Sequence, residues 1–500
     1  MIEINGTRGL IKFMLKRLSL SFICFSSFFS FSQTLQNSVQ EQLQQPVLNG
    51  AIWGGVAAYV DTPSSPLFSI QADTRLTPAS TLKLLTTAAA LELMGPHHRF
   101  ETKIYASTKP NAKGVLEGNI YIQGGGDPTL GSTRVPGAES YEDVLQKWVK
   151  AIEKAGIKKI NGAIIADESL FEGPSIPAKV NWGNIGNYFA APASPLCFHD
   201  NLFTIRFKPQ KNGNQRVIID SISPMVKGLT LESFVTTDAK TKEDNAYVYG
   251  GPKQYNLQIF GTIPTSTKGF SIKGSLPDPA LFTAQQLVQA LAQQHILVSQ
   301  QPRTVASAPN YNQMHLLHTY QSPELKDIVL IVNKRSFNLY AEMLLRQLAV
   351  HEGKKGSIQN GINALVHFLK SKQIVSPEKV VIFDGSGLSR DNLITPNTLL
   401  RTLAYMTQSL YFEYYYQSLA TPDDRGDLLL LRRFLKSQQK VQEVRVKGGT
   451  IDNVKALAGY VPDENGRLIA FVFMANNLGP KDESLFRIHE NIIKELLEVK

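Results

Sequence analysis

The stretch TPASTLKLLTTAAALELMGP, Thr77 to Pro96, constrains the fold more than any other in the chain. Thr77 is a capping residue type, Pro78 suits a first helical position, and Gly95-Pro96 is a stop, so the pattern predicts one helix of about five turns. Leu82, Leu84, Leu85, Ala88, Ala89, Leu91 and Leu93 leave it almost no polar face, which places it in the middle of a domain with other elements wrapped around it. Lys83 is out of place there, because a lysine is almost never fully buried without a partner or a task. Ser80 precedes it by three residues, in the first turn, where unpaired N–H groups and the positive end of the helix dipole favour developing negative charge. That spacing puts amine and hydroxyl on one face. A desolvated lysine favours its neutral form and takes a proton from a serine nucleophile, whereas the plain alternative is a lysine snorkelling from a helix start.

A chain of 500 residues exceeds one ordinary core, so two or three domains are expected. Residues 1–32 read as a secretory signal peptide: Lys12, Lys16 and Arg17 lead into an apolar run of about fifteen residues, short for a membrane span. Later segments are not apolar enough over sufficient length to cross a bilayer, so a soluble or peripheral protein of the periplasm or cell envelope is expected. Of two cysteines, Cys24 lies in the leader among bulky neighbours that argue against lipid attachment, and Cys197 alone builds neither a disulfide framework nor a metal site. Nine histidines are scattered without a metal-ligand pair and no Gly-x-Ser-x-Gly elbow exists, so no metal or cofactor is expected. The formal charge is +10; the leader holds Arg8, Lys12, Lys16 and Arg17 against Glu3, so +7 remains, spread without basic runs. Such a chain suits an anionic envelope polymer better than nucleic acid.

The texture along the chain is that of a multidomain α/β protein. A hairpin pattern over residues 51–76 precedes the apolar helix, strands and loops follow from about Phe100, and a helix YEDVLQKWVKAIEKAGI leads to the strand AIIAD. Residues 203–263 alternate as strands, a helix forms around FTAQQLVQALAQQ, helices return from Leu325, and VRVKGGT, ALAGYV and LIAFVFMAN read as strands before a last helix from about Asp482. The pattern is one domain in two pieces, residues 33–98 and 306–500, around a mainly β insert at 99–305 with an inner part at about 172–262.

Two later motifs bear on Ser80. NKRSFNLYAE starts a helix with Ser336 and Asn338 at its head, and VKGGT is a short strand whose glycines permit close approach and whose Lys447 offers a cation. Singly, each reads equally well as a helix cap or a turn. In order they match the Ser-x-x-Lys, Ser-x-Asn and Lys-[Thr/Ser]-Gly elements of the penicillin-interacting serine enzymes. With GGGDPTL, DGSGLSRDN and ALAGYV added, the chain resembles the D-Ala-D-Ala carboxypeptidase/endopeptidase family of penicillin-binding protein 4 type, the low-molecular-mass class C penicillin-binding proteins. Ser336 follows Lys83 by 253 positions, too many for a compact β-lactamase and suited to this family.

The resemblance implies a β-lactamase/transpeptidase-like domain split by two smaller inserted domains, and a D,D-peptidase acting on peptidoglycan stem peptides, with β-lactam antibiotics as covalent inhibitors. It implies Ser80 as nucleophile, Lys83 as its base, Ser336 and Lys447 as a relay to the leaving amine, and Asn338 on the substrate amide. The oxyanion would lie between the N–H groups of Ser80 and Thr450, with Gly449 allowing the strand close. Asp167 and Arg390 match positions that read the amine and carboxylate of a diaminopimelate end group, and Arg binds carboxylates through two parallel bonds. Ser386, in DGSGLS, is a competing serine whose glycine-rich setting favours a loop role, and GGGDPTLG is a structural turn without the Lys-Ser/Thr of a phosphate loop. Two departures stand out: Gly448 replaces a hydroxyl that helps hold the terminal carboxylate, and Phe337 is an aromatic where a polar residue is common. The rivals are a β-lactamase and a non-catalytic wall-binding scaffold, the second supported by Gly448 alone.

Overall fold

The computed structural model describes residues 33–375, 377–424, 443–479 and 484–500, and the expected leader lies outside them. Both ends of the chain build one antiparallel sheet in the order Arg445–Ile451, Val454–Pro462, Leu468–Asn476, Ile52–Tyr59, Phe68–Ile70. Its middle strands are rich in β-branched and aromatic residues and buried on both faces. Side chains alternate accordingly: Val56, Ala58, Val472 and Met474 face the helices, while Trp53, Ala57, Phe471 and Phe473 face the helix Ser484–Leu497. Trp53 Nε1 donates to His489 Nε2 at 3.2 Å, and burial pushes His489 down to about 3, which keeps that nitrogen an acceptor.

The apolar stretch forms the centre of the helical layer. Every residue from Lys83 to Leu91 is buried, against the helices Asn338–His351, Leu325–Lys334 and Pro396–Met406. Its start differs from expectation. A 3-10 turn, Ala79–Leu82, precedes the α-helix Lys83–Met94, and no side chain caps either. Thr77 is engaged elsewhere: its hydroxyl donates to the Arg390 carbonyl at 2.9 Å and its N–H to Asn476 Oδ1 at 2.7 Å. Ala79 at φ 47 departs from helical geometry, so a regular helix cannot begin at Pro78.

The insert has its own core. Its main sheet runs Arg303–Val305, Ile164–Asp167, Ile120–Gln123, Glu101–Ala106, His315–Gln321, so it takes in a strand beyond residue 305, the end expected from the sequence. The parallel pairs are joined through helices Tyr141–Lys154, with a Ser140/Asp143 capping box, and Pro279–Gln293, capped by Asp278, as parallel strands require a crossover. The excursion between these helices adds small sheets, one pairing Leu202–Phe207 with Phe270–Ser275 and Ile219–Ser223. The architecture is thus multidomain α/β, with a transpeptidase-like sheet-and-helix layer interrupted by β-rich domains. In GGGDPTLG a Cβ at Gly125 would lie 1.7 Å from the Glu101 carbonyl oxygen, so close packing requires glycine there. Among the described residues no helix is long and apolar enough to cross a membrane. Cys197 is buried, its thiol donating to the Pro128 carbonyl.

Candidate active site

Ser80 sits in the 3-10 turn and Lys83 is the first residue of the α-helix that follows. With three residues per turn, side chains at i and i+3 eclipse, and Lys83 Nζ lies 2.8 Å from Ser80 Oγ. The left-handed backbone of Ala79 presents Ser80, a local strain of the kind found at functional sites. It is held from outside by Gly387, which packs where any Cβ would lie 1.8 Å from the Ala79 carbonyl oxygen.

Lys83 is fully buried and has two further neighbours, Asn338 Oδ1 at 2.7 Å and the Ser386 carbonyl oxygen at 2.6 Å. Burial is the largest cause holding the amine well below its ordinary range, and the Lys447 charge adds to it; Asp384 and Glu342 oppose it. A neutral amine has two N–H groups and one lone pair. The Ser386 carbonyl can only accept, and Asn338 Oδ1 is also an acceptor, so the two N–H groups are used there. Nζ donates to Ser80 Oγ at 2.8 Å, and when the amine is neutral its lone pair faces that hydroxyl.

Asn338 opens the helix Asn338–His351 and also donates from Nδ2 to the Phe189 carbonyl at 2.8 Å, which orients its amide. Ser336 occupies the turn between two helices at φ 54, and its hydroxyl accepts from Lys447 Nζ at 2.9 Å. Lys447 is buried on the edge strand and donates also to the Gly448 carbonyl at 2.6 Å. Gly449 abuts the Ser80 turn, and Thr450 and Arg390 line, with Ser80 and Asn338, a cavity of about 280 Å³.

Asp167 lies apart. It is buried at the end of its strand in the insert, accepting from the Tyr311 hydroxyl at 2.6 Å and the Ser169 N–H at 2.8 Å, and is not among the residues lining this cavity. Ser386 contributes its backbone carbonyl to Lys83, while its hydroxyl accepts from the Leu388 N–H.

The family model of the D-Ala-D-Ala carboxypeptidase 3 (S13) family matches residues 35–494. The chain belongs to that family. It is a serine-type D-Ala-D-Ala carboxypeptidase, a hydrolase acting on peptidoglycan. It is 26% identical over 494 residues to the D-alanyl-D-alanine carboxypeptidase DacB of Haemophilus influenzae, covering 94% of this chain and 95% of that one. A D-alanyl-D-alanine carboxypeptidase of an Actinomadura species is 25% identical over 463 residues, covering 89% and 82%. The crystal structure of penicillin binding protein 4 (dacB) from Haemophilus influenzae superposes with a TM-score of 0.77 at 24% identity, covering 92% and 99%; a second structure of it, complexed with a β-lactam, gives 0.72 at 23% identity, with the same coverage.

In this carboxypeptidase two buried acids outside the sequence-level set support Lys83. Glu342 accepts from the N–H groups of Gly385 and Ser386, both at 2.9 Å, and Asp384 from Gly387, Ser389 and Asn392 at 2.6 to 2.8 Å. Together they fix the loop that aims the Ser386 carbonyl. Burial, then the neighbouring Glu342, pushes Asp384 up to about 7. The signal for Glu342 is the one that marks Lys83, a charge within an apolar helix. Tyr188, Phe189 and Tyr247, which wall the cavity from the insert, carry no sequence signal of that kind.

Proposed function

We propose that this carboxypeptidase works through an acyl-enzyme on Ser80, in the periplasm, removing terminal D-Ala from stem peptides and cleaving D-Ala-to-diaminopimelate cross-links. The observation that carries the reading is the set of contacts at Lys83, which holds Nζ 2.8 Å from the Ser80 hydroxyl, so that the neutral amine directs its lone pair there. Lys83 takes the Ser80 proton as Oγ attacks the penultimate D-Ala carbonyl, and the oxyanion forms between the N–H groups of Ser80 and Thr450. Ser336, bonded to Lys447, passes a proton to the departing amine. Water then cleaves the ester by the reverse proton path. Asn338 keeps one Nδ2 hydrogen for a substrate carbonyl beyond the one given to Phe189.

Arg390 lines the cavity and supports recognition of a carboxylate at the free end of the diaminopimelate side chain. Asp167 lies outside it, and its contacts support an anchoring role for Tyr311 instead. β-Lactams, which present a strained amide to the same nucleophile, acylate Ser80 in this reading, as the β-lactam complex of the Haemophilus relative suggests. The test is intact-protein mass after incubation with benzylpenicillin. A single adduct on the parent, absent from Ser80→Ala, is expected; an adduct that survives in Ser80→Ala overturns the assignment.

A further inference from the structure

A second and larger cavity, about 900 Å³, adjoins the one at Ser80 and shares its walls Tyr188, Phe189 and Tyr247. Those walls are locked together. Asn187 is buried and clamps the two segments that carry them, accepting from the Val248 N–H at 2.9 Å and donating to the Val248 carbonyl at 3.2 Å. The chamber also reaches Arg335 and Phe337, the residues on either side of Ser336. The turn that carries the leaving-amine relay therefore opens onto it.

Phe337 finds its use here. No step of acyl transfer needs this aromatic, yet its ring is part of the chamber wall, with the Arg134 guanidinium 4.2 Å above its centroid. Arg134 is neutralised by Asp200 at 2.6 Å. Lys242, Lys273 and Arg335 also line the chamber and are solvent-exposed; with Glu243 and Asp244 opposing them, a cationic excess remains.

A terminal D-Ala leaves as a small amino acid and needs no such room. A cross-linked substrate leaves as a second stem, a peptide bearing several carboxylates, for which a chamber of this size and sign is complementary. We propose that the chamber is the leaving-strand subsite of the enzyme, binding the acidic peptide that departs when a cross-link is cut, with Lys242, Lys273 and Arg335 reading its carboxylates. The proposal rests on the acyl-enzyme reading at Ser80. In the step concerned the Ser80 Oγ–carbonyl bond forms as the C–N bond of the cross-link breaks, and the Ser80 proton ends on the departing amine. Water later supplies a hydroxyl to the new carboxylate and a proton to Ser80.

The experiment compares kcat/KM for a cross-linked muropeptide dimer with that for a monomeric pentapeptide, on the parent, on Lys242→Ala/Lys273→Ala and on Lys242→Arg/Lys273→Arg. The dimer-to-monomer ratio is expected to fall at least about tenfold in the alanine double variant and to recover in the arginine one. In the parent the ratio should also decline as potassium chloride is raised, because exposed charges are screened. A ratio that moves neither with the substitutions nor with salt overturns the proposal, and the salt series decides alone if the alanine variant does not fold. Benzylpenicillin labelling run in parallel separates the two levels: a labelled parent with an unmoved ratio removes the chamber assignment only, whereas an unlabelled parent that leaves both substrates intact removes the Ser80 reading.

Discussion

Gly449 packs against the backbone of Ser80 so closely that a Cβ at 449 would sit 2.8 Å from the Ser80 nitrogen. The same Cβ would lie 3.0 Å from the Pro78 carbonyl oxygen and from the Thr81 nitrogen, so the obstacle is backbone on every side. The edge strand and the Ser80 turn form one close-packed unit.

Gly449→Ala should therefore disable acylation more than folding. Displacing the strand from Ser80 separates the two N–H groups expected to hold the oxyanion, and loss of one such donor costs about a hundredfold to a thousandfold. Rates of benzylpenicillin adduct formation check this; a variant that acylates at the parental rate removes the strand from the oxyanion site.

The acylation rate should rise with pH along a limb set by Lys83, well below the ordinary lysine range, since only the neutral amine takes the Ser80 proton. Lys447→Ala removes a charge that lowers Lys83, so whatever rate survives should show its limb at higher pH. Stopped-flow acylation across pH measures both limbs, and coincident limbs would contradict the coupling.

Gly448→Thr restores the hydroxyl that the resemblance implies helps hold the substrate's terminal carboxylate. One added hydrogen bond to a carboxylate contributes about 1.5 kcal/mol, about tenfold in binding. KM for a D-Ala-terminated peptide should drop with kcat little changed, the signature of binding that is equal in ground and transition states. A rise in kcat at constant KM would show that the hydroxyl acts in the transition state instead.

Asp384 couples the site to pH through stability. Its folded pKa, about 7, is raised above the ordinary 3.8, so the folded state binds the extra proton between these values. Its contribution is fully present below about 3.8 and is lost as pH rises through about 7. The stability of the parent relative to Asp384→Asn should thus decline between about pH 4 and pH 7, read as the difference in Tm across that range. A constant difference would mean that Asp384 keeps its charge throughout.

The central helix and the three motifs were legible because each breaks an expectation of its own segment: a lysine in an all-apolar helix, glycines in a strand, a serine at a helix head. Thr77 misleads because capping is local chemistry, and a partner more than three hundred residues away, the Arg390 carbonyl, takes its hydroxyl instead. Ser386 shows the opposite limit. Its side chain invites attention, but its contribution at Lys83 is a backbone carbonyl that residue type cannot announce. Asp167 pairs with Arg390 only by motif, and Tyr311, whose hydroxyl it accepts from, lies more than a hundred residues further along the chain. The walls from the insert depend on how two domains dock, which no local pattern encodes.

The sheet's strand order has a consequence for synthesis. Ile52–Tyr59 pairs along its full length with Leu468–Asn476, a partner made more than four hundred residues later. The insert, closed by pairing of Glu101–Ala106 with His315–Gln321, has all its strands before then. A chain made only as far as the insert therefore carries Ser80 and Lys83 without Lys447 and Gly449, so a product truncated there has the Ser80 turn without the edge strand that packs against it. The expected active site is thus assembled only once the late strands have joined the early one.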